Sequence, residues 1–298
     1  MPIDIPAMPP AVLCFGAGDA TAGSGLAADI LTLASMGCHP LPVQTASWVR
    51  DTRSVDEVWA QDVELVVAQA RAILEDIPVV AFKLGFCGSA ENLAAIAEIL
   101  SDYPDVALIV EPALYASADL GEAGEEMSAA LADLILPQTT LLVLGRHELC
   151  RLVGVACSDG DHDETELPTV DDALAQVLAG GTEYILLTGG GEHGPQVVNS
   201  LIGPAGSVRT DTWPRLGEGF LGASTTLAAA AAAALAHGMA AVHRLADKAA
   251  LDVRDLGARW PGLARRQCRT GGQGGALLQN RSARGLRHQC ATLPHSRS

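Results

Sequence analysis

The feature that most constrains the fold is the alternation of short apolar runs with stretches of helical period along most of the chain. Such alternation builds a parallel sheet whose strands are joined by crossover helices. Val12–Gly16 reads as a first strand ending in a glycine-rich turn. Leu26, Ile30 and Leu33 then fall on one helix face, and Gly37 stops that helix. Val43–Ala46, Val79–Leu84, Val106–Val110, Leu141–Leu144 and Tyr184–Thr188 read as further strands. Helices are predicted over 55–75, 89–100, 124–135 and 169–179, and an Ala-rich helix from about Thr225 to His237. Gln196–Leu201 and Ser207–Thr210 fit an antiparallel pair on one edge.

Composition narrows what such a sheet can serve. With 298 residues, 49% of them hydrophobic, the chain can bury one large α/β core or two small ones without covalent help. Acidic residues outnumber basic ones by 35 to 19, for a formal charge of -16. The imbalance is uneven: residues 248–298 hold ten Lys/Arg against two Asp/Glu, and residues 1–247 hold nine against thirty-three. The acidic body repels phosphate backbones, so nucleic-acid binding is not expected of it. A domain over 1–247 is expected, followed by a basic Gly/Arg-rich tail over 248–298. The tail's lack of period fits a disordered arm, an out-of-frame read-through or a nucleic-acid arm.

The seven cysteines include no C-x-x-C pair, and the eight histidines show no metal-ligand spacing. Neither a disulfide framework nor a zinc site is indicated, and a reducing cytoplasm is the expected setting. Met1–Pro10 lacks the basic start and long apolar run of a signal peptide. Gly219–Val242 is uncharged and long enough to cross a bilayer, but its Ala-rich composition favours a buried helix.

Two glycine clusters stand where chemistry is usually placed. Gly16 to Gly25 joins a strand to a helix, so its backbone N–H groups can approach an anion or substrate. It is not a dinucleotide fingerprint, since Thr21 falls where the third glycine belongs, and Ser24 stands where a P-loop needs Lys. Gly217 to Thr226 opens the Ala-rich helix, and either receives a phosphoryl group or forms an ordinary N-cap. A serine-hydrolase elbow fails there, because Thr226 occupies the last glycine position. Thr188–Gly191 fits a nucleotide approach or a plain left-handed turn. The acidic run 159–164 reads as a solvated loop, since Glu164 replaces the glycine a calcium loop requires.

Together these segments resemble a known family, the bacterial hydroxymethylpyrimidine/phosphomethylpyrimidine kinases of the ribokinase-like superfamily. The family's opening A-G-S/T-D-P-S-G-G-A-G-I-Q-A-D lines up with Gly16 to Asp29, keeping Asp19, Gly23, Gly25, Ala28 and Asp29. Its T-A-x-x-x-Q-N/D-T matches Thr45, Ala46, Asp51 and Thr52. K-I-G-M appears as Lys83 to Phe86, and V-V-D-P-V-M as Ile109 to Leu114. Val197–Leu201 and Trp213–Leu216 look like one bacterial subgroup, and the similarity covers roughly residues 11–245.

The resemblance implies a central, mostly parallel sheet with helices on both faces and a small edge β element. It implies phosphoryl transfer from ATP, with Mg2+, to hydroxymethylpyrimidine and then to its monophosphate, in a homodimer. By the same resemblance, Thr225 stands at the catalytic-base position, and Gly222, Ala223 and Ser224 form the anion hole. Asp19, Gly23, Arg50, Phe86 and Ala113 line the substrate pocket, Thr188 and Gly190 face ATP, and Glu148 serves the metal side. The departures that bear on chemistry are Thr225 for a cysteine, Ser224 for a glycine, Arg50 for a glutamine, Gly145 for an asparagine, and Thr188 for a lysine, the last shared with the subgroup. The family's C-terminal segment is not recognisable in the tail. A threonine alkoxide cannot form readily near neutral pH, and guanidinium offers donors where an amide offers a donor and an acceptor. Two further readings follow from these departures: a non-catalytic protein binding a pyrimidine or phosphorylated ligand, and a vitamin B6-type kinase.

Overall fold

The computed structural model describes residues 8–114, 121–154, 169–189, 194–215 and 220–238. All belong to one compact unit, Met1–Cys268. The acidic run 159–164, Gly190 and the basic tail lie outside the described residues.

Nine strands form one sheet: β1 Ala11–Asp19, β2 His39–Arg50, β3 Val55–Ala60, β4 Val79–Leu84, β5 Ala107–Val110, β6 Leu141–Gly145, β7 Tyr184–Thr188, β8 Gln196–Gly203 and β9 Gly206–Pro214. They lie in the order β3-β2-β1-β4-β5-β6-β7-β8-β9. The block from β2 to β7 is parallel, while β3 and the β8–β9 hairpin add antiparallel edges. This is the mostly parallel sheet with a small edge element that the sequence led one to expect.

Both faces of the sheet are covered. Along β1, Val12 and Cys14 join one buried cluster while Leu13 and Phe15 join the other. A parallel strand buried on both faces reads as a continuous apolar run, which is why Val12–Gly16 was legible. One face carries helices α2 Val63–Asp76, α3 Ala90–Ser101, α4 Glu122–Ala130, α5 Arg146–Leu152 and α6 Val170–Ala179. The other carries α1 Gly25–Ser35 and α7 Ala223–Ala236. A π-helical turn at Leu131–Ile135 and a 3-10 turn at Leu136–Gln138 extend α4 toward β6.

Helix α7 is apolar all round because it is buried all round: Ala228 to Ala234 are sealed against the sheet and α1. Its 14 residues make about 21 Å of helix, short of a bilayer's roughly 30 Å core. No helix among the described residues is long and apolar enough to cross a membrane.

Two expectations need correction. Residues 55–60, predicted as the start of a helix, form the edge strand β3. Val55, Val58 and Trp59 have helical spacing, but β3 pairs with Arg50 to Ala46 of β2, and that pairing overrides the local pattern. Exposed Asp56 and Glu57 put charges on this edge, as sheets do to discourage further pairing. No disulfide framework was indicated, yet Cys150 is disulfide-bonded, while Cys14 and Cys87 are free thiols. Helix α5, which no periodicity announced, is seven residues long.

Packing this tight leaves a testable limit on α7. Ala232→Leu inserts three carbons where there is no space, and we expect a loss of about 1–3 kcal/mol in urea unfolding.

Candidate functional site

Parallel strands all end on the same side of a sheet, and ligands of such folds bind outside those carboxyl ends. The strand order therefore lines up Arg50 (β2), Asp19 (β1), Phe86 (after β4), Glu111 and Ala113 (after β5), Glu148 (after β6) and Thr188 (β7). Residues far apart in sequence become one row.

At one end of the row, Asp19 organises the first glycine-rich turn. Its Oδ1 accepts from Thr21 N at 2.8 Å and Thr21 Oγ1 at 2.7 Å. Its Oδ2 accepts from Ser24 N at 3.0 Å and Ser24 Oγ at 2.7 Å. Those four bonds use the lone-pair directions of one carboxylate. Arg50 closes over them: its Nη1 lies 4.0 Å from Asp19 Oδ2 and donates to Ser24 Oγ at 3.4 Å. The guanidinium sits over the Trp48 ring, 5.7 Å from its centroid, and Trp48 in turn meets Phe86 at 5.5 Å. The Arg50 side chain is only 3% exposed.

The two glycine clusters meet here. Gly222 precedes α7 with φ +75, and a Cβ there would lie 1.8 Å from the carbonyl oxygen of Gly23. Only glycine permits both the left-handed conformation and that approach. Ala22 at φ +55 and Ala113 at φ +49 are non-glycine residues in the same region. Left-handed alanines cost of order 1 kcal/mol each and gather where function constrains the backbone.

Beneath the turns lies a sealed charge cluster. Lys83 Nζ is 3.0 Å from Asp29 Oδ1 and 3.6 Å from Glu111 Oε2, and all three side chains are buried. Burial works against the Lys83 charge, but Asp29 and then Glu111 outweigh it and hold the ammonium above its usual range. For Asp29 burial wins and pushes the carboxyl up to about 6 despite Lys83. The directions agree once one cation is seen to serve two anions: two carboxylates support the ammonium, while Asp29 shares its cation. Burial also holds the neighbouring Cys14 thiol well above its ordinary value.

Glu111 faces α7 as well. Its Oε1 accepts from Ser224 Oγ at 2.9 Å and its Oε2 from Thr225 Oγ1 at 3.3 Å. Farther along, Glu148 accepts from Gly145 N at 3.0 Å, and burial raises its carboxyl to about 7, with Glu111 adding to the effect. At the far end Thr188 Oγ1 donates to Leu144 O at 3.3 Å, and Asn199 Oδ1 accepts from Gly189 N at 3.2 Å.

The structure thus brings Asp19, Gly23, Arg50, Phe86, Ala113, Gly222, Ala223, Ser224, Thr225, Glu148 and Thr188 to one side of the sheet, and Gly190 lies outside the described residues. The Asp29–Lys83–Glu111 cluster, visible in sequence only as motif letters, was not among the expected site residues. Among the described residues no group of three His, Cys, Asp or Glu is arranged to hold a metal. One or two carboxylates suffice for Mg2+ that arrives with phosphate oxygens of its own, and Glu148 and Glu111 are the candidates.

A mostly parallel nine-stranded sheet with helices on both faces is the ribokinase-like fold, and solved structures share it. A phosphomethylpyrimidine kinase from Clostridium difficile 630 superposes with TM-score 0.64 at 22% identity, covering 83% of this chain and 99% of that one. A pyridoxal kinase from Staphylococcus aureus, in complex with ADP, gives TM-score 0.71 at 20% identity over 83% and 87%. In sequence, the hydroxymethylpyrimidine/phosphomethylpyrimidine kinase of Streptomyces coelicolor is 33% identical over 246 residues, 78% of this chain and 83% of that protein. The phosphomethylpyrimidine kinase profile matches residues 19–249, and the chain belongs to that family.

Glu148 offers a pH test. A carboxyl raised in the folded state contributes stability below its unfolded value, lost as pH rises through about 7. Glu148→Gln should match the parent at pH 4 and exceed it at pH 8 by about 1–2 kcal/mol, read from unfolding midpoints at each pH.

Proposed function

We propose that the chain transfers the γ-phosphoryl group of Mg-ATP to the hydroxymethyl group of hydroxymethylpyrimidine, and then to the resulting monophosphate, in thiamine biosynthesis. The observation that carries this reading is the meeting of Gly222 and Gly23 at the start of α7, in a chain of this family. A helix start, with its positive dipole end, suits the charge of a phosphoryl group in flight.

In this reading Gly222, Ala223 and Ser224 form the anion hole, with Thr225 beside it. Thr188 and Gly190 face the nucleotide and Glu148 holds Mg2+ through water. Asp19, Gly23, Arg50, Phe86 and Ala113 surround the pyrimidine. Phosphoryl transfer is mostly positioning and charge stabilisation, so a rigid row of strand ends supplies much of what it needs. The protein works in the cytoplasm as a homodimer, with 1–247 as the kinase domain and 248–298 as an appended basic segment.

A second reading rests on Arg50. Its guanidinium, paired with Asp19 where the family has an amide, favours a ring that presents acceptors or a negative charge over a neutral aminopyrimidine. That describes a vitamin B6-type kinase or a non-catalytic binder of a pyrimidine or phosphorylated ligand.

Incubating the purified chain with Mg-ATP and hydroxymethylpyrimidine should give the mono- and diphosphate by mass spectrometry, well above an enzyme-free control. Absence of both from folded protein would refute the first reading. Arg50→Gln should raise kcat/KM for hydroxymethylpyrimidine tenfold or more, about 1.4 kcal/mol of transition-state binding. A fall instead would favour the second reading.

A further inference from the structure

We infer that Asn92, a buried amide on α3, is a positioning residue that sets how tightly the ring of the substrate is held. The inference deepens the kinase reading and rests on it. That reading puts Arg50 and Phe86 around the ring, and Asn92 ties together the two segments that carry them.

Asn92 is the third residue of α3 and has no exposed surface. Its backbone N–H serves the helix cap, donating to Ser89 Oγ at 3.1 Å. Its side-chain nitrogen donates to three carbonyl oxygens: Cys87 O at 3.1 Å, Gln61 O at 3.2 Å and Thr45 O at 3.3 Å. An amide has two N–H bonds, so one of them is shared between two carbonyls. The reverse orientation would set the amide oxygen against all three carbonyl oxygens, which fixes the side chain this way round. Oδ1 has no hydrogen-bond partner among the described residues. A buried acceptor left unmatched costs stability, so an apolar side chain of the same size would serve a purely core role better. What the amide adds is the tie between three segments.

Those carbonyls belong to β2, to the residue that follows β3 and to the turn that follows β4. A second tie runs beside the first: Thr45 Oγ1 donates to Phe86 O at 2.6 Å, one residue before Cys87. Gly88 closes the same gap. Its φ is +83, and a Cβ there would stand 2.8 Å from Thr45 O, so the turn lies closer to β2 than a side chain would permit. Beyond Thr45, β2 carries Trp48 and Arg50. Phe86 meets Trp48 at 5.5 Å between ring centroids, and the Arg50 guanidinium lies 5.7 Å from the Trp48 ring. The side-chain bonds of Asn92 therefore act on the ring end through backbone and packed rings, and they reach none of Thr188 or Gly222 to Thr225. Without the tie, the turn and β2 are free to part, and the ligand has to supply the ordering that the protein now supplies.

The test measures dissociation constants by calorimetry on the full chain. Hydroxymethylpyrimidine and pyridoxal are the ring probes, and a non-hydrolysable ATP analogue is the nucleotide probe. Asn92→Leu keeps the bulk and removes the donor bonds. Thr45→Val keeps the shape and removes only the bond to Phe86 O, so it reports on the same turn should Asn92→Leu not fold. Each should weaken binding of whichever ring the parent binds by about tenfold or more, with the nucleotide constant within about threefold of the parent. The double variant should weaken it by less than the product of the two, because both side chains hold one turn. A lowered melting temperature with unchanged ring affinity is what a purely structural role gives, and it overturns the inference. Equal weakening for ring and nucleotide overturns it as well. A parent that binds a ring without phosphorylating it refutes the kinase reading alone, and the ring affinities still decide the role of Asn92. A parent that binds neither ring overturns both.

Discussion

The interaction on which the site depends is the one buried ammonium, Lys83, set between Asp29 and Glu111. Taking three ionised groups out of water is costly, and the arrangement holds only because each anion faces the cation at short range. That requirement ties three separate elements to one point: α1 through Asp29, β4 through Lys83 and the end of β5 through Glu111. Glu111 then reaches α7 through Ser224 and Thr225, so the glycine turn of Gly222 is held from below as well as by its contact with Gly23. The result is a helix start fixed in position without a covalent link.

A second polar latch works at the other end of the row. Asp19 uses its lone pairs on Thr21 and Ser24, and Arg50 covers what is left. A carboxylate with four hydrogen bonds and a guanidinium is a fixed wall. Trp48 and Phe86 pack beside that wall, and the Arg50 guanidinium presents only donors there. The two latches differ in kind. One holds the start of α7, while the other holds the first glycine-rich turn.

Much of the fold was legible because parallel strands buried on both faces read as near-continuous apolar runs, and β1, β4, β6 and β7 do, broken only toward their carboxyl ends by residues such as Asp19 and Lys83. Alpha-helical period gave α1, α3 and α6 for the same reason, with one face against the sheet. The edge strand β3 was misread because Val55, Val58 and Trp59 keep helical spacing, and only pairing with β2 decides otherwise. Helix α5 is two turns long, too short for periodicity to register. The glycine turns and the motif residues pointed to the site, but the bonding of Ser224 and Thr225 to Glu111 left no trace in spacing, since 113 and 114 residues separate the partners.

The sequence by itself determined the layered architecture, the family and the residue types at the carboxyl ends of the strands, because burial on two faces and tight turns restrict which residues can stand where. Tertiary structure alone decided which of those residues meet. A lysine becomes the shared partner of two acids, and a serine becomes the neighbour of a glutamate, only when strand order and helix placement bring their side chains within hydrogen-bond range. Electrostatic and hydrogen-bond energies fall off over a few ångströms, so they are set by that placement and not by any local pattern along the chain.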